Sequence, residues 1–309
     1  MSSPSLLSQE YGKEQVRLVK VFRDKKPWEE IVEYTIQILL EGEAFTKAYT
    51  HADNGPVVAT DSMKNTVYVL AKKSEHARVP ECFAHEIANH FLTTYAHVSR
   101  ANILVRQHRW TRMLVKGSLH PHSFLRDGEE ERVARVIGYR KKGGDPLDLG
   151  FDVTGGLEGL LVLKTTGSAF TGFVRDQYTT LPETDDRIFS TIVSAQWSYA
   201  PGASRSQVMS KDYTTVFDAV RETTLRIFAE DESASVQATL YRMGSEVVSR
   251  FGPSVQSIRY TLPNRHVVNL DLKPFGLDNL GKDATVYVPL ANPSGLISAT
   301  IGYKNASKL

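Results

Sequence analysis

Residues 160–187 run LLVLKTTGSAFTGFVRDQYTTLPETDDR. Leu160, Leu161, Val162 and Leu163 form a short apolar run of the kind a strand buries. Lys164, Thr165, Thr166, Gly167 and Ser168 follow as a turn. The stretch then presents Phe170, Phe173 and Tyr178 and closes on Arg187. It contains no cysteine and no histidine. A flat ring beside a guanidinium suits a planar, anionic, carbonyl-rich heterocycle. The ring stacks on the ligand face, and the guanidinium offers a rigid fork of donors to its oxygens and nitrogens.

Outward from this stretch the chain extends to 309 residues, enough for one large domain or two ordinary ones. A 41% hydrophobic and 23% charged composition is that of a soluble globular protein. No apolar run reaches the roughly 18 residues of a membrane helix, so no membrane partner is expected. Lys and Arg number 37 against 35 Asp and Glu, a formal charge of +2. That balance argues against nucleic acid as a partner. The one cysteine, Cys82, excludes an intramolecular disulfide and any multi-cysteine zinc site. The N-terminal MSSPSLLSQEYGKE lacks the basic and apolar regions of a secretory signal. Ser307-Lys308-Leu309 is a peroxisomal address when it forms the exposed chain end, so the expected location is the peroxisome, reached through an import receptor.

The periodicities repeat along the chain. Strands are expected at 16–22 and at 31–40, where Val32, Tyr34, Ile36, Ile38 and Leu40 share one face. A polar loop is expected over 41–56. A helix capped by Asp61 or Ser62 runs to about 73, and a second opens at Pro80-Glu81 with Phe83, Ile87, Phe91 and Tyr95 inward. Strands follow at 101–113 and 132–139. The glycine-rich stretch 142–156 is the expected linker. Beyond it come strands at 159–165 and 188–199, helices at 214–228 and 235–251, and strands at 255–261, 266–272 and 285–290. Each half reads strand, strand, helix, helix, strand, strand, which is an α+β pattern of antiparallel sheets with helices on one face.

The spacing Leu-x-Val-Leu-Lys-Thr-Thr-x-Ser-x-Phe-x-x-Phe, with Tyr178, Leu181 and Arg187 after it, resembles the signature of the uricase (urate oxidase) family. VVATDSMKNTVY (57–68), HRWTRM (108–113), HPHSFLRD (120–127), AEDESASVQATLY (229–241) and LPNRH (262–266) resemble it too, in the expected order. The resemblance implies two tandem T-fold (tunnelling-fold) repeats, 1–145 and 146–309, in a homotetramer that forms a barrel around a tunnel. It also implies oxidation of urate by dioxygen to 5-hydroxyisourate and hydrogen peroxide, with no cofactor and no metal.

Carried over residue by residue, the resemblance implies that Phe170 stacks on the purine and Arg187 grips a ring carbonyl and its neighbouring nitrogen. Gln237 matches the carbonyl and N–H of the other ring. Val236 adds a backbone donor, and Asp61 contributes through its backbone. Lys13, Thr60 and His266 form a proton relay, while Asn264 and Thr60 hold dioxygen or water above the ligand face. Lys13, Thr60 and Asp61 of one subunit are expected to meet the other groups from a neighbour. The start of a helix favours an anion at Gln237.

Dioxygen is a triplet and most oxidases recruit a metal or flavin to use it. No dinucleotide-binding fingerprint is present. His85 and His90 are five apart and fall on different helical faces, and His120-Pro121-His122 reads as part of a hairpin. Deprotonated urate is itself electron-rich, so an anion clamp, a base and a small oxygen pocket suffice. Two other readings stand beside this one. A T-fold cyclohydrolase or pterin synthase would need a histidine-held zinc and a helix Glu where Gln237 stands. A purine-binding protein without catalysis would keep the fold alone.

Overall fold

The structure is a computed structural model and describes residues 4–143, 145, 147–281, 284–290 and 292–303. The tripeptide 307–309 lies outside the described residues. The chain divides into two compact units, Met1–Gly156 with Trp197–Phe217, and Leu157–Gln196 with Asp218–Leu309.

In the first unit, β1 (Tyr11–Phe22) and β2 (Glu30–Glu41) form an antiparallel pair, with Lys13 opposite Ile38. The helices α1 (Thr46–His51), α2 (Thr60–Lys73) and α3 (Pro80–Thr94) come next. Strand β3 (Arg100–His108), the hairpin β4 (Thr111–Val115) and β5 (Ser118–Leu125), and β6 (Glu131–Arg140) complete it. The sheet order is β1-β2-β3-β6. The period of two in β2 does what it predicts: Tyr34, Ile36, Ile38 and Leu40 are wholly buried. Phe83, Ile87 and Phe91 of α3 are buried as well. Each such apolar side chain contributes roughly 1.5–3 kcal/mol through burial. Under the same helix Arg132 donates to Glu81 at 2.7 Å, a buried ion pair.

In the second unit the order recurs. Strands β7 (Leu149–Lys164) and β8 (Phe189–Tyr199) precede the short α4 (Arg205–Met209), α5 (Tyr213–Glu230) and α6 (Val236–Phe251); residues 149–156 of β7, 197–199 of β8, all of α4 and 213–217 of α5 fall in the first unit. Then come β9 (Val255–Pro263), the hairpin β10 (His266–Asn269) and β11 (Tyr287–Leu290), and β12 (Leu296–Gly302). The sheet order is β7-β8-β9-β12. Leu240, Met243 and Val247 of α6 and Ile258, Tyr260 and Leu262 of β9 are buried. The α+β class and the repeated strand–helix–strand order therefore hold.

Four local expectations do not. The strand expected over 101–113 is broken, with β3 ending at His108 and β4 starting at Thr111 in a separate two-stranded sheet. The polar loop 41–56 contains a 3-10 turn at Glu43–Phe45 and α1, with the ring of Phe45 buried where the two meet. Neither Asp61 nor Ser62 caps α2; Ala59 holds the cap position without a side-chain bond, and Thr60 is the first helical residue. The second half of the 142–156 linker is strand, because β7 starts at Leu149 and runs on for 16 residues.

Candidate functional site

Phe170, Arg187, Val236 and Gln237 are gathered where the segment after β7 meets the start of α6. Ser168 is the pivot. It bridges Ser233 in parallel register, with Ser233 N–H donating to Gly167 O at 3.0 Å and Ala169 N–H to Ser233 O at 2.8 Å. Arg187 N–H donates to Ser168 O at 2.8 Å, and Phe170 and Thr184 exchange two bonds of 2.8 and 3.1 Å. These ladders lay the Phe170 segment, the Arg187 segment and the start of α6 side by side. The turn itself is tied by Asp186, which accepts from Thr166 Oγ1 at 2.5 Å and Gly167 N–H at 2.8 Å. The Thr166 bond leads in holding the Asp186 carboxyl below the usual carboxylate range.

Phe170 stacks on Phe173 with centroids 4.7 Å apart and planes at 11°. The Arg187 guanidinium lies 5.2 Å from the Phe170 centroid. Arg187 is half-buried, and among the described residues it makes no ion pair and no side-chain hydrogen bond. Burial alone draws its pKa below the ordinary value. An unpaired guanidinium in that setting is costly unless something anionic or carbonyl-bearing meets it.

Ser235 caps α6, its hydroxyl accepting from Ala238 N–H at 3.1 Å. Val236 and Gln237 are the first two helical residues, Val236 buried and Gln237 exposed. Their N–H groups belong to the set that an α-helix leaves without internal partners. Asn264 follows β9 and bridges Thr191 of β8, four residues beyond Arg187 in the chain. Its N–H donates to Gly295 O at 2.7 Å, and its buried Oδ1 has no hydrogen-bond partner among the described residues. His266 opens β10 opposite Leu290 and is exposed.

Lys13, Thr60 and Asp61 gather in the first unit. Gly12 brings β1 so close to β2 that an added Cβ would lie 1.7 Å from Ile38 O. The pairing register shifts just after Lys13, with Gln15 in the left-handed region at φ 57°. Tyr11, two residues before Lys13, accepts from Val58 N–H at 2.7 Å and donates to Val58 O at 3.2 Å. His97 Nε2 donates to Pro56 O at 2.8 Å. The segment leading into Thr60 is thus pinned from two sides. The Asp61 carboxyl accepts from Lys64 at 2.8 Å and Asn65 at 2.9 Å. Lys64 chiefly holds the Asp61 carboxyl below its usual range, and the nearby Lys13 charge adds to the effect.

A groove of about 860 Å³ lies elsewhere in the first unit, between β1 and α2, with Lys20, Phe22, Lys72 and Arg78 in its wall. None of the candidate residues lines it. Two of its cations are engaged within the unit: Arg78 pairs with Asp24 and Glu30, and Lys20 donates to Ser74 O. Among the described residues no three His, Cys, Asp or Glu side chains come together as a metal site would require. Sequence reasoning does not single out Tyr11, Asp186 or Ser168. Each sits inside or beside a quoted motif, but a hydroxyl or carboxylate whose work is to bind backbone carries no spacing of its own.

The family model described as Uricase matches residues 9–137 and 153–298. A uricase of Aspergillus flavus is 45% identical over 298 residues, covering 94% of this chain and 95% of that protein. A uricase of Emericella nidulans is 44% identical over 304 residues, covering 97% of each. The crystal structure of uricase from Arthrobacter globiformis superposes with a TM-score of 0.85 at 36% identity, covering 100% of this chain and 98% of that one. On matches of this length and identity, carried by both of its halves, the chain belongs to the uricase family.

Proposed function

We propose that this protein oxidises urate with dioxygen and water to 5-hydroxyisourate and hydrogen peroxide. The observation that carries the reading is the half-buried, unpaired Arg187 guanidinium 5.2 Å from the Phe170 ring, in a chain of the uricase family. The ring supplies a stacking face, and the guanidinium supplies the donors that an oxopurine anion lacks in water-poor surroundings. Gln237 and the Val236 N–H supply complementary groups at a helix N-terminus, where negative charge is favoured.

In this reading urate gives two electrons to dioxygen and water adds at C5, so atoms and electrons balance without a metal or flavin. Lys13, Thr60 and His266 move the protons, and Asn264 with Thr60 holds dioxygen or water over the ring. The orphan Oδ1 of Asn264 is an acceptor suited to a water. Lys13, Thr60 and Asp61 belong to one unit of the chain, and Phe170, Arg187, Val236, Gln237, Asn264 and His266 to the other. The site is completed between subunits of a homotetramer, whose assembly closes the sheets into a barrel around a tunnel. Where Leu309 ends the chain, Ser307-Lys308-Leu309 directs the protein to the peroxisome through its import receptor. A fluorescent-protein fusion that keeps its peroxisomal pattern after deletion of the tripeptide would refute the address.

Metal-free, flavin-free protein is expected to remove the ultraviolet absorbance of urate while forming one peroxide per urate. Absence of urate loss, or activity restored only by a dialysable metal or flavin, would defeat the proposal.

A further inference from the structure

The start of α6 is held by a buried polar cluster that touches none of the groups assigned to ligand. Thr239 is 0% exposed, Ser233 1% and Asp231 7%. The Thr239 hydroxyl donates to Asp231 Oδ2 at 2.6 Å. A carboxylate only accepts, so the single Thr239 proton is committed there, and the 2.7 Å contact between Ser233 Oγ and Thr239 Oγ1 has Ser233 as donor. Arg242 Nη1 pairs with Asp231 Oδ1 on the outer side. Lys164, the last residue of β7, donates to Asp231 O at 2.6 Å. One carboxylate residue thereby joins the end of β7, the loop before α6 and the first two turns of α6.

Building on the functional reading above, we propose that Asp231 and Thr239 are positioning residues that set the separation between the Phe170–Arg187 wall and the Val236–Gln237 wall of the urate site. The coupling is direct in the backbone. Ser233, fixed through its side chain to Thr239, is the residue whose N–H and C=O pair with Gly167 and Ala169. Ala169 precedes Phe170, and Ser168 holds Arg187 N–H. Val236 and Gln237 lie between Ser233 and Thr239 in the chain, within the stretch that the cluster closes. A structural brace placed anywhere else on α6 would stabilise the helix without fixing both walls. This one fastens the helix start to the Gly167–Ala169 segment that leads into the stacking ring. Buried, fully bonded polar clusters fix a single geometry because every alternative leaves a buried group unpaired.

The test compares wild-type protein with Thr239→Val, Thr239→Ser and Asp231→Asn. It measures the Kd of urate without oxygen, and KM and kcat in air, at a temperature where all are folded. Thr239→Val keeps shape and loses the hydroxyl contacts to Asp231, Ser233 and Ser235 O. Its Kd and KM are expected to rise roughly tenfold, in keeping with the cost of a sub-ångström misplacement of two binding walls. Thr239→Ser restores the hydroxyl and is expected to stay within about twofold of wild type on the same scale. Asp231→Asn keeps an acceptor for Thr239 and loses the charge that Arg242 pairs with, and it falls between the two. Thr239→Val with wild-type Kd and KM and only a lower Tm would overturn the proposal. If Thr239→Val does not fold, Asp231→Asn decides by the same criterion; if neither folds, Ser233→Ala does. Wild-type protein that neither binds nor oxidises urate would fail the functional reading itself, a result distinct from failure of the brace.

Discussion

His85 shows what a single residue inside the first unit costs and what it controls. It is 1% exposed on α3, its ring is 4.4 Å from that of Phe151, and neither ring nitrogen has a hydrogen-bond partner among the described residues. Burial first, and then the charges of Arg205 and His76, push its pKa down to about 4 from 6.5. The folded protein therefore holds His85 neutral while the unfolded chain protonates it more readily. Its contribution is intact above pH 6.5 and is lost as pH falls toward about 4. The total loss is on the order of 3 kcal/mol, at about 1.4 kcal/mol for each pH unit that separates the folded and unfolded values. Replacing His85 by Leu removes the proton site and keeps an apolar side chain. Stability measured by denaturant titration from pH 7 to pH 4 is expected to fall less steeply in His85→Leu than in wild type. Parallel curves would rule the mechanism out. In sequence, His85 stands with other histidines and invites a metal reading; only its packing against Phe151 shows it as a core residue.

At the level of elements, the long amphipathic pieces are legible in the sequence and the short or glycine-bearing ones are not. Strand β2 and helices α3 and α6 announce themselves because one face is buried throughout. The 3-10 turn and α1 hide in a polar segment whose one wholly buried side chain is Phe45. Strand β12, Leu296–Gly302, escapes a sequence reading because Leu296, Ser298, Ala299, Thr300 and Gly302 are all exposed, so no buried face marks it. Gly155 reads as linker because glycine weakens a strand, yet here it is required: an added Cβ would lie 2.5 Å from Trp197 Nε1. Two of the proposed ligand-holding groups, Phe170 and Arg187, are legible from the 160–187 stretch. The braces around them are not, since Asp186 and Asp231 look like any surface carboxylate until their partners are known. Gly12 offers an element-scale test. With 1.7 Å between a new Cβ and Ile38 O, Gly12→Ala must lift β1 away from β2 beside Lys13. Overpacking of this kind costs roughly 1–3 kcal/mol. A lower Tm with loss of most urate turnover is expected; retention of wild-type kcat would show that β1 can shift there without moving Lys13 out of use.

At the scale of the whole molecule, the division of labour between units makes a quantitative prediction. Lys13 lies in the first unit and Arg187 in the second. If each site draws these two groups from different copies of the chain, Lys13→Met and Arg187→Gln homo-oligomers are both inactive, for different reasons. Mixed assemblies behave otherwise. A site that takes its first unit from an Arg187→Gln chain and its second from a Lys13→Met chain contains both native groups. Random assortment at equal mixing gives about one such site in four, set by the symmetry of a closed homo-oligomer. Co-refolding the two inactive variants should therefore restore about a quarter of wild-type kcat per chain, rising and falling with the mixing ratio. Each variant refolded alone stays inactive and serves as the control for recovery. If differently tagged chains demonstrably co-assemble and the mixture stays inactive, both groups must come from one chain, and the shared site is wrong. Because the test depends only on which chain donates which group, it separates the quaternary proposal from the chemistry assigned to Lys13 and Arg187.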